Sequence, residues 1–162
     1  MPVLVMKFGG TSVANLDRIA RAAKRVGVEV AKGYDVIVIV SAMSGKTNEL
    51  VGWVNETSPL FDAREYDAVL ASGETVTAGL MALRLQEMNI PARSWHGWQV
   101  PLQTTANHSA ARIENIGTDN INAKFGEGMQ VAVVAGFQGI SDEGRITTLG
   151  RGGSDTTAVG FA

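Results

Sequence analysis

The chain has 162 residues, 45% hydrophobic and 19% charged, which gives it enough apolar content for one packed domain and too little charge for disorder. A net charge of −2 argues against electrostatic nucleic-acid binding as the main role, and the absence of cysteine excludes a disulfide framework or thiolate metal site. Met1-Pro2-Val3 opens no signal-like segment and no apolar run reaches the roughly 18 residues of a membrane span, so a soluble cytoplasmic protein without nucleic-acid or membrane partners is expected.

The apolar run Val3-Leu4-Val5-Met6 predicts a first strand, and Lys7-Phe8-Gly9-Gly10-Thr11-Ser12 follows it. Paired glycines let a backbone approach a ligand closely, and a following helix offers unpaired N–H groups and a positive dipole end. Taken alone, the stretch fits an anion-binding loop and an ordinary strand-to-helix turn equally well. Apolar residues at Leu16, Ile19, Ala20, Ala23, Val26 and Val30 predict an amphipathic helix, ended by Gly33-Tyr34. Its Arg18, Arg21, Lys24 and Arg25 read as a solvated face.

The unbroken run from Asp35 to Val40 predicts a strand buried on both faces of a parallel sheet. Ser41-Ala42-Met43-Ser44-Gly45-Lys46-Thr47-Asn48 follows it directly, with a second helix expected from about Asn48. This βαβ alternation is that of an α/β protein. After Ser58-Pro59, residues 62–71 predict a short helix leading to a loop at Ser72-Gly73-Glu74-Thr75, and another helix runs from about Glu74 to Met88. Ala92 to His96 predicts a strand, with Trp95 and Trp98 as packing residues; neither His96 nor His108 sits in a ligand-like cluster, so no metal site is assigned.

The polar stretch 103–122 gives no clear order beyond edge strands for some of it. Gln130 to Ala135 is a second buried strand, ending in Gly136-Phe137-Gln138-Gly139. Asp142-Glu143-Gly144-Arg145 reads as a hairpin turn returning through Ile146 to Leu149. Gly150-Arg151-Gly152-Gly153-Ser154-Asp155 opens a last helix, with Ser154 or Asp155 as the expected N-cap. That helix runs to Ala162 on an apolar stretch without a cap or polar tail, and the expectation is a fragment of a longer chain.

Strand ends of a parallel sheet share one edge, so the loops after residues 8, 40, 71, 135 and 149 are expected at one ligand-binding rim. Lys7, Ser41, Thr47, Glu74, Arg151, Ser154 and Asp155 would line it, a set suited to a small zwitterion beside a phosphate. Gly45-Lys46-Thr47 imitates the close of a P-loop, but Val40 stands where that motif needs its first glycine. No GxGxxG follows the first strand either, which disfavours a dinucleotide fold.

In order and spacing, Lys7-Phe8-Gly9-Gly10-Thr11-Ser12, the segment Val40 to Asn48, Ser72-Gly73-Glu74, Gly136-Phe137-Gln138-Gly139 and the segment Thr148 to Asp155 resemble the aspartate kinases of the amino-acid kinase family. The resemblance runs from residue 3 to residue 162 and is weakest over 103–122. It implies a three-layer αβα sandwich with a mainly parallel central sheet, truncated, in which residues 1–162 are the N-terminal, amino-acid-binding lobe. The nucleotide lobe and regulatory ACT domains would lie outside this chain. The implied reaction moves the γ-phosphoryl group of ATP, with Mg2+ carried by the nucleotide, to the β-carboxylate of L-aspartate. Its product, 4-phospho-L-aspartate, enters lysine, threonine and methionine synthesis. The parent enzyme would be a homo-oligomer, and the fragment alone inactive.

Phosphoryl transfer needs positioning and charge neutralisation more than covalent help. On the resemblance, Lys7 supplies that charge beside the Gly9-Gly10 amides, and Lys7, Phe8, Gly9, Gly10 and Ser41 meet the nucleotide. Arg151 grips the substrate α-carboxylate through its planar fork, Glu74 meets the ammonium, and Ser41 and Thr47 bond substrate or phosphate. Ser154 contacts the β-carboxylate and Asp155 orients Lys7; no general base is needed, since a carboxylate is nucleophilic at pH 7. For Glu74 and Asp155, charge compensation at a helix N-terminus is the alternative, worth a few tenths to about 1 kcal/mol. Two rival functions stand beside the kinase: a family member with another acceptor, and a non-catalytic amino-acid-binding module.

Overall fold

A computed structural model describes residues 2–150 and 152–162. The core is a parallel sheet of four strands, β1 (Val3–Phe8), β2 (Asp35–Val40), β3 (Ala92–Trp95) and β6 (Val131–Ala135), in the order β1-β2-β6-β3. Residues alternate faces along each strand. Val36, Val38, Val40, Val131, Val133 and Ala135 pack on helices α1 (Leu16–Ala31) and α3 (Ala63–Glu87). Ile37, Ile39, Ala132 and Val134 pack the other way, onto residues of α4 (Asp119–Gly126) and α5 (Gly153–Phe161). This is the expected three-layer αβα arrangement, and its two central strands are apolar on both faces because both faces are covered.

A second sheet, not anticipated from the sequence, sits beside the first: β4 (Leu102–Thr104), β5 (Ile113–Ile116), β7 (Gln138–Ile140) and β8 (Ile146–Thr148), in the order β5-β4-β7-β8. The β7–β8 hairpin is the one read from Asp142 to Arg145. The stretch 103–122 thus holds edge strand β5, most of β4 and the start of α4. The two sheets meet at a backbone seam, where a Cβ on Gly97 would stand 2.8 Å from the Cα of Gly139. Gln138, fully buried, ties the seam to α3: its Oε1 accepts from the Gly97 N–H at 2.8 Å and its Nε2 donates to the Ala71 carbonyl at 2.9 Å.

Three local expectations are corrected. Helix α2 (Lys46–Thr57) starts two residues before Asn48, behind Gly45, whose φ of 81° is the left-handed turn that glycine supplies. Residues 62–88 hold one helix, not two, so no loop interrupts α3 at Ser72-Gly73. The Ser72 hydroxyl bonds the Val69 carbonyl at 2.6 Å and the Thr75 hydroxyl the Ala71 carbonyl at 3.2 Å, so both are satisfied within the helix. Finally, Gly152 (φ 72°) caps α5, and neither Ser154 nor Asp155 does.

By length and a mean hydropathy of 1.2 over its most apolar window, α3 resembles a membrane span, but half of that window is buried inside the fold. It is the core helix, touching α1, α2 and both sheets.

Candidate active site

A cavity of about 630 Å³ opens at the C-terminal ends of β1, β2 and β6, where the second sheet adjoins them. Gly10, Ser41, Thr47, Glu74 and Ser154 line it, together with Tyr66, Ser109, Phe137 and Thr148. Each sits there for a local reason. Ser41 is the first residue beyond β2, where its N–H donates to the Phe8 carbonyl at 3.2 Å. Thr47 lies in the first turn of α2. Neither α2 nor α5 has a side-chain cap; the Lys46 N–H donates to the Met43 carbonyl at 2.9 Å, while the Thr47 N–H and the first N–H groups of α5 remain available to an anionic guest. The Ser41 and Ser154 hydroxyls meet at 2.8 Å, a contact that Gly136 permits, since a Cβ there would stand 2.9 Å from the Ser154 Cβ.

Glu74 reaches the cavity from the middle of α3, which rules out the reading of its charge as helix N-terminal compensation. Only 3% of its surface is exposed. Its Oε1 accepts the Ala42 N–H at 3.3 Å, while Oε2 is buried without a partner. Burial pushes this carboxyl up to about 8. Gly73 brings α3 this close: a Cβ there would be 2.9 Å from the Ala42 Cβ.

Lys7, Phe8, Gly9 and Asp155 stand beside the cavity and not on its lining. The Lys7 ammonium pairs with the Asp155 carboxylate at 2.7 Å and lies over Gly9, where a Cβ would be 3.4 Å from Nζ. The structure thus brings together Lys7 and Asp155, two of the residues singled out from the sequence, and Asp155 also lies in the first turn of α5. Phe8 belongs to the hydrophobic core at 6% exposure, so its side chain has no access to a ligand. Arg151 lies outside the described residues.

Sequence reasoning missed a second polar centre. Asp67, fully buried on α3, accepts from the Thr148 hydroxyl at 2.6 Å, the Thr148 N–H at 3.1 Å and the Ser109 N–H at 3.0 Å, and pairs with His108 Nδ1 at 2.7 Å. The available signal was the seven-residue spacing from Asp67 to Glu74, two helical turns and therefore one face. A larger groove of about 810 Å³ lies by β3 and α4, lined by Arg93, Trp95 and Lys124 among others, and holds none of the candidate site residues read from the sequence.

An aspartokinase of Rickettsia conorii is 52% identical over 162 aligned residues, which span 98% of this chain and 40% of the relative. The solved structure of an aspartate kinase from Synechocystis superposes with a TM-score of 0.82 at 43% identity, over all of this chain and 26% of that one. The E. coli aspartokinase III structure in complex with aspartate and ADP gives a TM-score of 0.82 at 25% identity, over 96% of this chain and 45% of that one. The chain therefore spans less than half the length of each of these proteins. Over residues 2–162 it matches the model of the amino acid kinase family, and to that family it belongs.

Proposed function

We propose that this chain is the amino-acid-binding part of a kinase that transfers the ATP γ-phosphoryl group to the β-carboxylate of L-aspartate. The observation that carries the reading is Glu74, a buried carboxylate with one unpartnered oxygen on the lining of a cavity whose other walls offer hydroxyls and helix N-termini. An ammonium beside that oxygen is the partner that repays its burial. The carboxylates of a small zwitterion then fall to Ser154, Thr47 and the amides opening α5, with Arg151 assigned to the α-carboxylate from its motif. Relatives named aspartokinase, and a fold shared with a structure holding aspartate and ADP, support the choice of acceptor and donor.

In the transfer, a β-carboxylate oxygen bonds to the γ-phosphorus as the bond from that phosphorus to the bridging oxygen breaks, and ADP departs. The acceptor is already an anion, so no proton has to be removed. Lys7 is the group that neutralises charge on the moving phosphoryl, and the 2.7 Å contact with Asp155 holds its ammonium in place. The Gly9-Gly10 backbone and Ser41 face the phosphates. Among the described residues no three Asp, Glu or His side chains gather to hold a metal ion. Mg2+ is assigned to the nucleotide phosphates in this proposal.

The product, 4-phospho-L-aspartate, would feed lysine, threonine and methionine synthesis in the cytoplasm. The ATP lobe, ACT domains and homo-oligomeric assembly belong to the longer protein, with neither nucleic acid nor membrane as partner. The 162-residue chain alone is then expected to show no turnover. The test is a panel of amino-acid and carbamate acceptors assayed with ATP on the full-length protein. L-aspartate should lead the panel; turnover of a different acceptor, or of none, overturns the assignment.

A further inference from the structure

Helix α3 carries a second buried carboxylate for which phosphoryl transfer has no task. Asp67 and Glu74 share a face of the helix, but their oxygens are used differently. Glu74 keeps one oxygen without a partner, whereas both Asp67 oxygens are fully engaged: the Ser109 N–H is shared between them at 3.0 and 3.2 Å, and Thr148 and His108 complete the set. A carboxylate saturated by protein donors has no capacity left for a ligand. What it can do is hold its donors in place.

Those donors come from two segments that meet at the cavity wall. Ser109 and Thr148 both line the cavity, and the Ala111 N–H closes the junction by donating to the Thr148 carbonyl at 3.1 Å. Ser109 stands in left-handed backbone, φ 69°, a conformation that serine keeps only where the surroundings impose it. His108, its side chain 11% exposed, pairs with Asp67, whose own side chain is fully buried.

We propose that Asp67 and His108 are a positioning pair that fixes the Ser109 wall of the cavity and thereby sets how tightly the acceptor is held. The proposal rests on the kinase reading above. Asp67 and His108 touch neither substrate; they act through Ser109 and Thr148.

The test takes Asp67→Asn, His108→Leu and His108→Asn in the full-length protein, with steady-state kinetics in both substrates. Asn places an amide N–H near the position of Nδ1 and so restores the bond that Leu removes. Asp67→Asn and His108→Leu should raise the acceptor KM about ten-fold or more, leave kcat and the ATP KM within about three-fold, and His108→Asn should recover most of the loss. Equal losses in both substrates, or no recovery with asparagine, would mean a merely structural role and overturn the proposal. Amide hydrogen exchange on the 162-residue chain needs no substrate: the Ser109 and Thr148 amides should lose protection in Asp67→Asn while those of β2 keep it. Unchanged protection at Ser109 overturns the clamp even if L-aspartate proves to be the acceptor. A failed acceptor panel with the expected exchange pattern overturns the kinase assignment and leaves the clamp standing.

Discussion

Replacing Glu74 with glutamine makes the burial of its carboxyl measurable. The group ordinarily titrates at 4.5, and burial raises it to about 8 in the folded chain. Between those values the folded state holds a proton that the unfolded state has released, so folding stability falls as pH rises. The contribution is complete below about pH 4.5 and gone above about pH 8. At 1.36 kcal/mol per pH unit, flattening as the folded group ionises near pH 8, the interval from pH 6 to 8.5 amounts to about 2.5 kcal/mol. Only 3% exposure at Glu74 leaves little solvent to screen it. Glutamine stays neutral throughout and keeps an oxygen for the Ala42 N–H. Urea unfolding of both proteins at pH 6.0 and 8.5 should therefore show Glu74→Gln gaining about 2.5 kcal/mol on the wild type between the two pH values. Parallel changes in the two proteins would refute the reasoning. Binding should report the same group: an ammonium beside Glu74 requires the ionised carboxyl, so calorimetry with L-aspartate at pH 7 in buffers of different ionisation heat should reveal the release of about one proton.

Lys7→Ala in the full-length protein should lower kcat about 1,000-fold with little change in aspartate KM, as expected of a charge that matters as the phosphoryl moves; an unchanged kcat removes Lys7 from the mechanism. Arg151→Lys keeps the charge but not the fork, and aspartate KM should rise about ten-fold or more while ATP KM stays put; a rise in ATP KM moves Arg151 to the nucleotide side. Gly73→Ala would force a methyl to 2.9 Å from the Ala42 Cβ. It should cost about 1–3 kcal/mol by urea unfolding, and wild-type stability would show that α3 and the 41–44 loop have room to part.

The strands from Asp35 and Gln130 were legible because burial on both faces leaves an unbroken apolar run, and the glycine loops because close approach to neighbouring atoms, as at Gly136 and Gly153, admits few other residues. The misreadings have physical causes. Ser72-Gly73 resembles a break because glycine commonly ends helices, yet here it serves a tertiary contact with Ala42 that no local pattern displays. Strands β4 and β5, of three and four residues, are too short to establish a period. The residues around the candidate cavity were legible where they sit in motifs, as with Ser41, Thr47 and Ser154 on its lining and Lys7 and Asp155 beside it. It was not legible at Asp67, whose partners lie 41, 42 and 81 positions away in the chain.

Because α3 is one uninterrupted helix, it works as a ruler laid under the cavity. Its rise of about 1.5 Å per residue makes each turn a graduation of about 5.4 Å. Glu74 marks one graduation, and Leu70, one turn earlier, also faces the cavity. Ala78, one turn later, is sealed in the core, so the scale can be read in one direction only. Tyr66, two turns before Glu74, lines the cavity as well, so on the proposed reading a redesign for acceptors of another length has two open steps on this helix: the acidic mark moves from position 74 to position 70 or 66, and an apolar residue takes its place.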